Sequence, residues 1–488
     1  MSETTKKSAG MRGSQSNSGV SSVWSAAGIV ASVVAILLAV TFGVAANPSG
    51  TSLPANPNFA SGGTAQAGAA VEPTGETTEV EVTMTADMTY EPSVIEVPAG
   101  DELVVTLINE DDKNGHDLVI GDVESSRIQP GKSETVNFGV QSYSQEGYCS
   151  VAGHKQMGMT LDVVVTGGSS SAVDAGGHAG HAAPAAIPDV VDAEVSEVYP
   201  AKLEPLESTD EPVTHELTFT VTEVPLEVAP GLWQTRWTFN GSSMGPTLHG
   251  KVGDKFIITL VNDGTIGHSI DFHAGALAPD VPMRTIAPGE SLVYEYTAER
   301  AGIWMYHCST APMSTHIASG MHGAVIIEPA DIDPVDHEFV IVQSEVYLAN
   351  EAHSPEEAEE VNADKIANGT PDRVVFNGIA NQYDQERFEV KTGERVRFWV
   401  LDAGPNVPFA FHIVGGQFDT YWIEGAYHLR QGVSSSGATD GGSQVLSLLP
   451  AEGGFVELEF PEAGNYSVVN HIMSEAERGA HGYVHVTD

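Results

Sequence analysis

The chain has 488 residues, 66 acidic against 21 basic side chains, a formal net charge of −45 and two cysteines. At roughly 150 residues per domain, that length suggests about three domains, and 41% hydrophobic residues suffice for ordinary buried cores. The acidity argues against a nucleic-acid partner, because phosphate binding needs a basic face. Two cysteines exclude a disulfide-rich scaffold, a four-cysteine zinc site and a cysteine-ligated iron–sulfur cluster. They leave one disulfide or two separate thiolate sites.

Residues 1–23 form a polar tail carrying Lys6, Lys7 and Arg12. Residues 24–46, WSAAGIVASVVAILLAVTFGVAA, form an uncharged and largely apolar run. As a helix it would span about 34 Å, enough to cross a bilayer core of about 30 Å. The preceding positive charges keep the N-terminus in the cytoplasm. Val44-Ala45-Ala46 offers a small-residue cleavage site, so the run reads as a membrane anchor or a signal peptide. Either way the remainder is expected outside the cytoplasm. The first 47 residues carry three basic and one acidic side chain, which leaves −47 on the exported part.

Residues 47–78 are rich in Gly, Ala, Ser, Pro and Thr and read as a flexible linker. Residues 79–166 alternate short β-rich runs with turns, the pattern of a small β-sandwich or barrel. Residues 167–194 form a second linker, in which His178 and His181 read as incidental. Two further β-rich units are expected over residues 195–330 and 331–488. None contains a long amphipathic helix. Ser354 to Ala367 (SPEEAEEVNADKIA) is expected to be a short exposed helix or an acidic loop. An internal repeat supports three copies of one β-fold. Ala99-Gly100-Asp101 precedes ELVVTLIN, Val252-Gly253-Asp254 precedes KFIITLVN, and Thr392-Gly393-Glu394 precedes RVRFWVLD.

Each cysteine lies in the same kind of constellation. In EGYCSVAGHKQMGM, Cys149, His154 and Met159 are spaced C-x4-H-x4-M, with His116 upstream. In MYHCSTAPMSTHIASGM, Cys308, His316 and Met321 are spaced C-x7-H-x4-M, with His268 at the matching place upstream. One thiolate, two imidazoles and a weak thioether are what a type 1 electron-transfer copper requires. A Cys149–Cys308 disulfide would destroy both sets and is rejected. Met157 competes with Met159 as the axial ligand. The Cys149 loop resembles that of small blue-copper proteins, which favours Met159 and leaves Met157 as a gap-filler. Met313 is expected to be packing.

The middle unit has histidines to spare. His268-Ser-Ile-Asp271-Phe-His273 supplies a second His and an acid, and His307 precedes Cys308 directly. Adjacent side chains on a strand point to opposite faces, so His307 and Cys308 can serve two different metals. His273 and His307 do not complete a site. The last unit, which has no cysteine, offers His471 and His412. Three histidines with an open position make a catalytic metal site.

Residues from about 198 to 488 resemble a copper-containing nitrite reductase of two cupredoxin domains. The matching segments are FNGSSMGPTL, GHSIDFHAG, MYHCSTAPMSTHIASGMHGAVIIEP, VVFNG, FHIVGG and VVNHIMSEA. The resemblance implies an all-β chain of three cupredoxin-like Greek-key domains, counting the N-terminal one. It implies type 1 copper at His268, Cys308, His316 and Met321, and type 2 copper at His273, His307 and His471. It implies that Asp271 and His412 flank the open position, that Val414 shapes the substrate pocket, and that a homotrimer brings His471 to a neighbour's His273 and His307. Two features depart from the commonest pattern: a C-x7-H loop shorter by one residue, and Gln417 where many members carry another His.

The function implied is dissimilatory-type reduction of nitrite to nitric oxide, with about three coppers per chain. The N-terminal domain reads as a fused electron donor, itself served by a reduced cupredoxin, cytochrome or other carrier. A short flexible tether gives such a donor an effective concentration of about millimolar. A multicopper oxidase acting on oxygen would need about eight histidines in His-x-His pairs, and the chain has no such pair. A non-catalytic copper carrier would account for Cys149 and its partners but not for His273, His307 and His471.

Overall fold

The computed structural model describes residues 73–166, 195–206, 209 and 211–488. The expected tail, membrane or signal segment and first linker lie almost wholly outside these residues, as does the second linker with His178 and His181. Among the described residues no helix is long and apolar enough to cross a membrane. The described residues build β-strands in three sandwiches, and the helices among them are single turns or little more.

The three repeat turns fold alike. Gly100, Gly253 and Gly393 have φ of 93°, 100° and 78°, a left-handed conformation that favours glycine. The acid after each glycine ties the turn down. Asp101 accepts the Thr74 hydroxyl at 2.6 Å, Asp254 the Val213 N–H at 2.8 Å, and Glu394 the Lys391 N–H at 2.8 Å. The strands that follow are Glu102–Asn109, Lys255–Asn262 and Arg395–Gly404. Each lies between one parallel and one antiparallel neighbour. The parallel partners are Thr77–Met84, Thr214–Ala229 and His337–Val346. The antiparallel partners are Ser133–Val140, Ser291–Thr297 and Gly453–Glu459.

Alternation along these strands sets the cores. In Glu102–Asn109, Leu103, Val105 and Leu107 are fully buried, and in Lys255–Asn262 Ile258 and Leu260 are. A second sheet closes each sandwich. In the middle domain it holds Gly302–His307 between His322–Glu328 and the two-residue strand Asp271–Phe272. The third domain is larger, with sheets of seven and five strands. Its core includes the ion pair of Arg397 and Glu457, each 1% exposed, at 2.6 Å.

The first and second sandwiches share one continuous hydrophobic cluster, which also takes in Val361 and Ile366. This corrects the expected exposure of 354–367, while a short helix is present as expected. The segment forms a 3-10 turn, Pro355–Glu357, and a short helix, Ala363–Asn368. Its acidic side chains at 356 and 357 are exposed, but Val361 and Ile366 are buried. Two apolar residues among the acids turn the loop inward.

Candidate metal centres

Both cysteines are free and buried. In the first sandwich the ligand atoms of His116, Cys149 and His154 lie within 4.8 Å of one another. Cys149 Sγ is 3.5 Å from His154 Nδ1, which is 3.2 Å from His116 Nδ1. The strand end places the histidine. Asn109, last in Glu102–Asn109, donates its amide to the carbonyls of Asn114 and Ile128, both at 2.8 Å. His116 pairs with Ile128. His116 Nε2 donates to Asp111 at 3.0 Å, which leaves Nδ1 facing the thiol. Burial pushes the Asp111 carboxyl up, but hydrogen bonds from His116, Asn114 and Lys113 outweigh it and bring it to about 2.

The second sandwich repeats the arrangement. His268, Cys308 and His316 form a group of the same kind, with Cys308 Sγ 3.3 Å from His316 Nδ1. Asn262 donates to the carbonyls of Ile266 and Ile286 at 2.8 and 3.0 Å, and His268 pairs with Ile286. Both ring nitrogens of His268 are buried without a hydrogen-bond partner among the described residues. The Glu223 carboxylate lies 3.5 Å from Nε2. A fully buried imidazole that makes no close hydrogen bond, beside a buried thiol, fits a soft metal. Burial holds His154 and His316 down to about 3, so each presents a neutral imidazole at neutral pH.

Met159 and Met321 are fully buried. Their carbonyls accept the N–H of Cys149 and Cys308 at 3.2 and 3.1 Å. Met157 and Met313 are not packed as expected. They are 41% and 45% exposed, because each sits at the outer face of its loop.

A third group joins Asp271, His273 and His307. Asp271 is directly opposite His307 in the strand pairing. The His307 Nδ1–H donates to the Cys308 carbonyl at 2.9 Å. That fixes its tautomer and leaves Nε2, which faces His273 Nε2 at 3.1 Å. Two imidazole nitrogens converging so closely fit a shared metal. Burial and the neighbouring His307 lower the pKa of His273. The Tyr294 hydroxyl reaches Asp271 at 3.5 Å.

His412 and His471 form a separate pair, with ring centroids 5.1 Å apart. His412 Nδ1 donates to the Gln444 carbonyl at 2.6 Å. His471 is exposed and is not brought into the group of Asp271, His273 and His307 within one chain. Val414, Ile472 and Met473 are 50%, 37% and 48% exposed. Gln417 is exposed.

Several residues around the sites escaped the sequence reading. Asn109 and Asn262 were visible only as the polar ends of the repeat strands. Asp117 and Ser269 each follow a ligand-set histidine without any spacing signal. Arg127, Trp237 and Glu360 meet from three distant parts of the chain.

Sandwiches carrying buried Cys-His sets at strand ends define a multidomain copper protein of the cupredoxin class. The family profile described as a cupredoxin-like domain matches residues 58–143, and that described as multicopper oxidase matches residues 220–331. The copper-containing nitrite reductase of Neisseria meningitidis serogroup A is 31% identical over 270 residues, which is 54% of this chain and 67% of that protein. The one from Alcaligenes xylosoxydans xylosoxydans is 31% identical over 267 residues, 50% of this chain and 77% of that protein. The alignment spans 66% of the Neisseria gonorrhoeae protein of the same description. A solved copper nitrite reductase from Nitrosomonas europaea is 30% identical with a TM-score of 0.50, covering 56% of this chain and 94% of that one. The chain belongs to the copper-containing nitrite reductase family.

Proposed function

We propose that this chain reduces nitrite to nitric oxide, consuming one electron and two protons and releasing one water. The observation that carries the reading is the pair His307 and Cys308. Adjacent in sequence, they serve two different groups, His307 Nε2 at 3.1 Å from His273 and Cys308 Sγ at 3.3 Å from His316. Copper, when bound, supplies a one-electron couple at each thiolate set and an open Lewis-acidic position at the histidine site.

His116, Cys149, His154 and Met159 hold one type 1 copper, and His268, Cys308, His316 and Met321 hold another. His273 and His307 hold a type 2 copper together with His471 of the partner subunit. The exposed His471 and its apolar neighbours Ile472 and Met473 support such a subunit interface. Its closure makes a homotrimer. Asp271 and His412 deliver protons to the leaving oxygen of nitrite. Gln444 holds the His412 ring by Nδ1, which leaves Nε2 for proton exchange. Val414 bounds the substrate pocket. The first sandwich is the electron donor to the rest, fed by an external carrier. Residues 24–46 export the chain and hold it at the membrane.

The test is the purified, copper-loaded protein with a small-molecule reductant and nitrite. Nitric oxide and three coppers per chain are expected. No nitric oxide would overturn the reading.

A further inference from the structure

The first and second sandwiches meet at their ligand loops. Asn114 Oδ1 accepts the Gly267 N–H at 3.0 Å. A Cβ added at Gly153 would stand 2.5 Å from Pro312 Cγ, so only glycine lets the loop of His154 approach the loop of His316 this closely. With the loops closed on each other, His154 is 3% and His316 2% exposed.

Glu360 is the hub of this contact. One carboxylate oxygen accepts the Arg127 guanidinium at 3.0 Å and the Trp237 indole N–H at 3.3 Å. The other lies 3.5 Å from the N–H of Ala152, two residues before His154. The Trp237 ring lies edge-on to His316 at 4.7 Å and to His268 at 5.7 Å. One carboxylate therefore touches the backbone of the first ligand loop and the indole that braces both imidazoles of the second set. Arg127 belongs to the first sandwich, and Asp117 and Glu223 also approach it, at 3.8 and 4.0 Å. Without its guanidinium, three carboxylates would face one another across the junction, which a partly buried site tolerates poorly.

We propose that Arg127, Glu360 and Trp237 are positioning residues that lock the donor loop of the first sandwich onto the His316 loop, so the two thiolate sets exchange electrons from a docked pose. This rests on the reading of both sets as redox centres. One electron crosses, the first set is oxidised by one and the second reduced by one, and no bond is made or broken. The connection through residues 167–194 then serves to return the domain to one seat, not to let it roam.

The test uses the full chain in two states. In the metal-free protein, amide exchange at Ala152 and Gly267 reports the dock directly. Arg127→Glu is expected to speed exchange at both amides at least tenfold while the strand Glu102–Asn109 stays protected. Arg127→Lys should retain most of the protection. If Arg127→Glu does not fold, Glu360→Ala is read in the same way. Unchanged exchange at both amides would overturn the proposal. In the copper-loaded protein, first-order reoxidation of the first set by the second should slow at least tenfold in Arg127→Glu. Nitric oxide production driven by a small reductant acting on the second set should be unchanged. An unchanged inter-set rate would also overturn the proposal. Absence of nitric oxide from every variant would instead sink the nitrite-reductase reading, and amide exchange would still decide the dock.

Discussion

Asp117 does in the first sandwich what Ser269 does in the second. Each follows a ligand-set histidine, and each accepts the N–H of the residue after the cysteine: Ser150 to Asp117 at 2.6 Å, Ser309 to Ser269 at 3.0 Å. The two clasps differ in charge. Burial first, and then the Asp117 carboxylate, push the Cys149 thiol up. Burial also opposes ionisation of Cys308, but His268 and the N–H groups of Ser269 and Thr310 outweigh it and bring that thiol down.

The charge difference gives the first prediction. A carboxylate beside a metal site favours the more positive, oxidised state. Asp117→Asn should therefore raise the reduction potential of the first set and leave the second unchanged. An interaction of about 1–2 kcal/mol at an effective dielectric near 20 corresponds to roughly 40–90 mV for a one-electron couple. Potentiometric titration of the two visible bands checks it, and a fall in potential would contradict it.

Asn262→Ala removes two hydrogen bonds to buried carbonyls that hold the His268 loop. The Ile286 carbonyl keeps the His268 N–H at 3.2 Å, so the Ile266 carbonyl alone loses its donor; the expected cost is about 1–3 kcal/mol, the range for leaving a buried acceptor unpaired. Thermal denaturation should show it, and copper should leave the second set faster in the presence of a chelator. Asn109→Ala should act likewise on the first set alone.

His471→Ala and His307→Ala should each abolish the type 2 signal in electron paramagnetic resonance. Co-expressed in one cell, the two variants should recover part of it. In a mixed trimer, one subunit's intact His307 meets His471 of the partner subunit. No recovery would mean that the third imidazole comes from the same chain.

Asp271→Asn keeps the size of the side chain and removes the carboxylate. Turnover should fall on the order of 10²–10⁴-fold, the usual worth of a positioned proton donor. Nitrite affinity should change far less, as steady-state kinetics would show. A loss confined to KM would reassign Asp271 to binding.

Asp402 is fully buried in the third sandwich, and its Oδ2 has no partner among the described residues. Burial, then the neighbouring Glu345 charge, raise its pKa well above the usual carboxylate range. A folded-state value above the unfolded one contributes stability that is full below about pH 4 and is lost as pH rises toward the folded value. Asp402→Asn removes that loss. The variant should match the natural chain near pH 4 and melt at a higher temperature near pH 8. Melting curves at the two pH values decide it.

Much of this was legible in the sequence because it is local. The Gly-acid turns, the alternating strands and the spacing of Cys149, His154 and Met159 are each set within a few residues. The opposed faces of His307 and Cys308 follow from strand geometry alone. What was not legible depends on surfaces that meet only after folding. SPEEAEEVNADKIA reads as solvated because five of its fourteen residues are acidic. Yet Val361 and Ile366 turn it inward and deliver Glu360 to Arg127 and Trp237, 233 and 123 residues away. Met157 and Met313 mislead for the opposite reason, since an apolar residue beside a site suggests packing while the loop geometry faces it outward.

The third sandwich keeps the glycine turn and the same trio of strands without a cysteine or a Cys-His-Met loop. It is the chain's own example of the scaffold closed without a thiolate set. Side-chain packing and the Arg397–Glu457 pair close it, so this scaffold does not use a metal as a fastener in the way a zinc finger does. Copper on this reading serves the chemistry and not the closure of the sandwiches. A cell short of the metal would accumulate folded, empty protein that is ready to be loaded, and supply of the ion would then set activity without new synthesis.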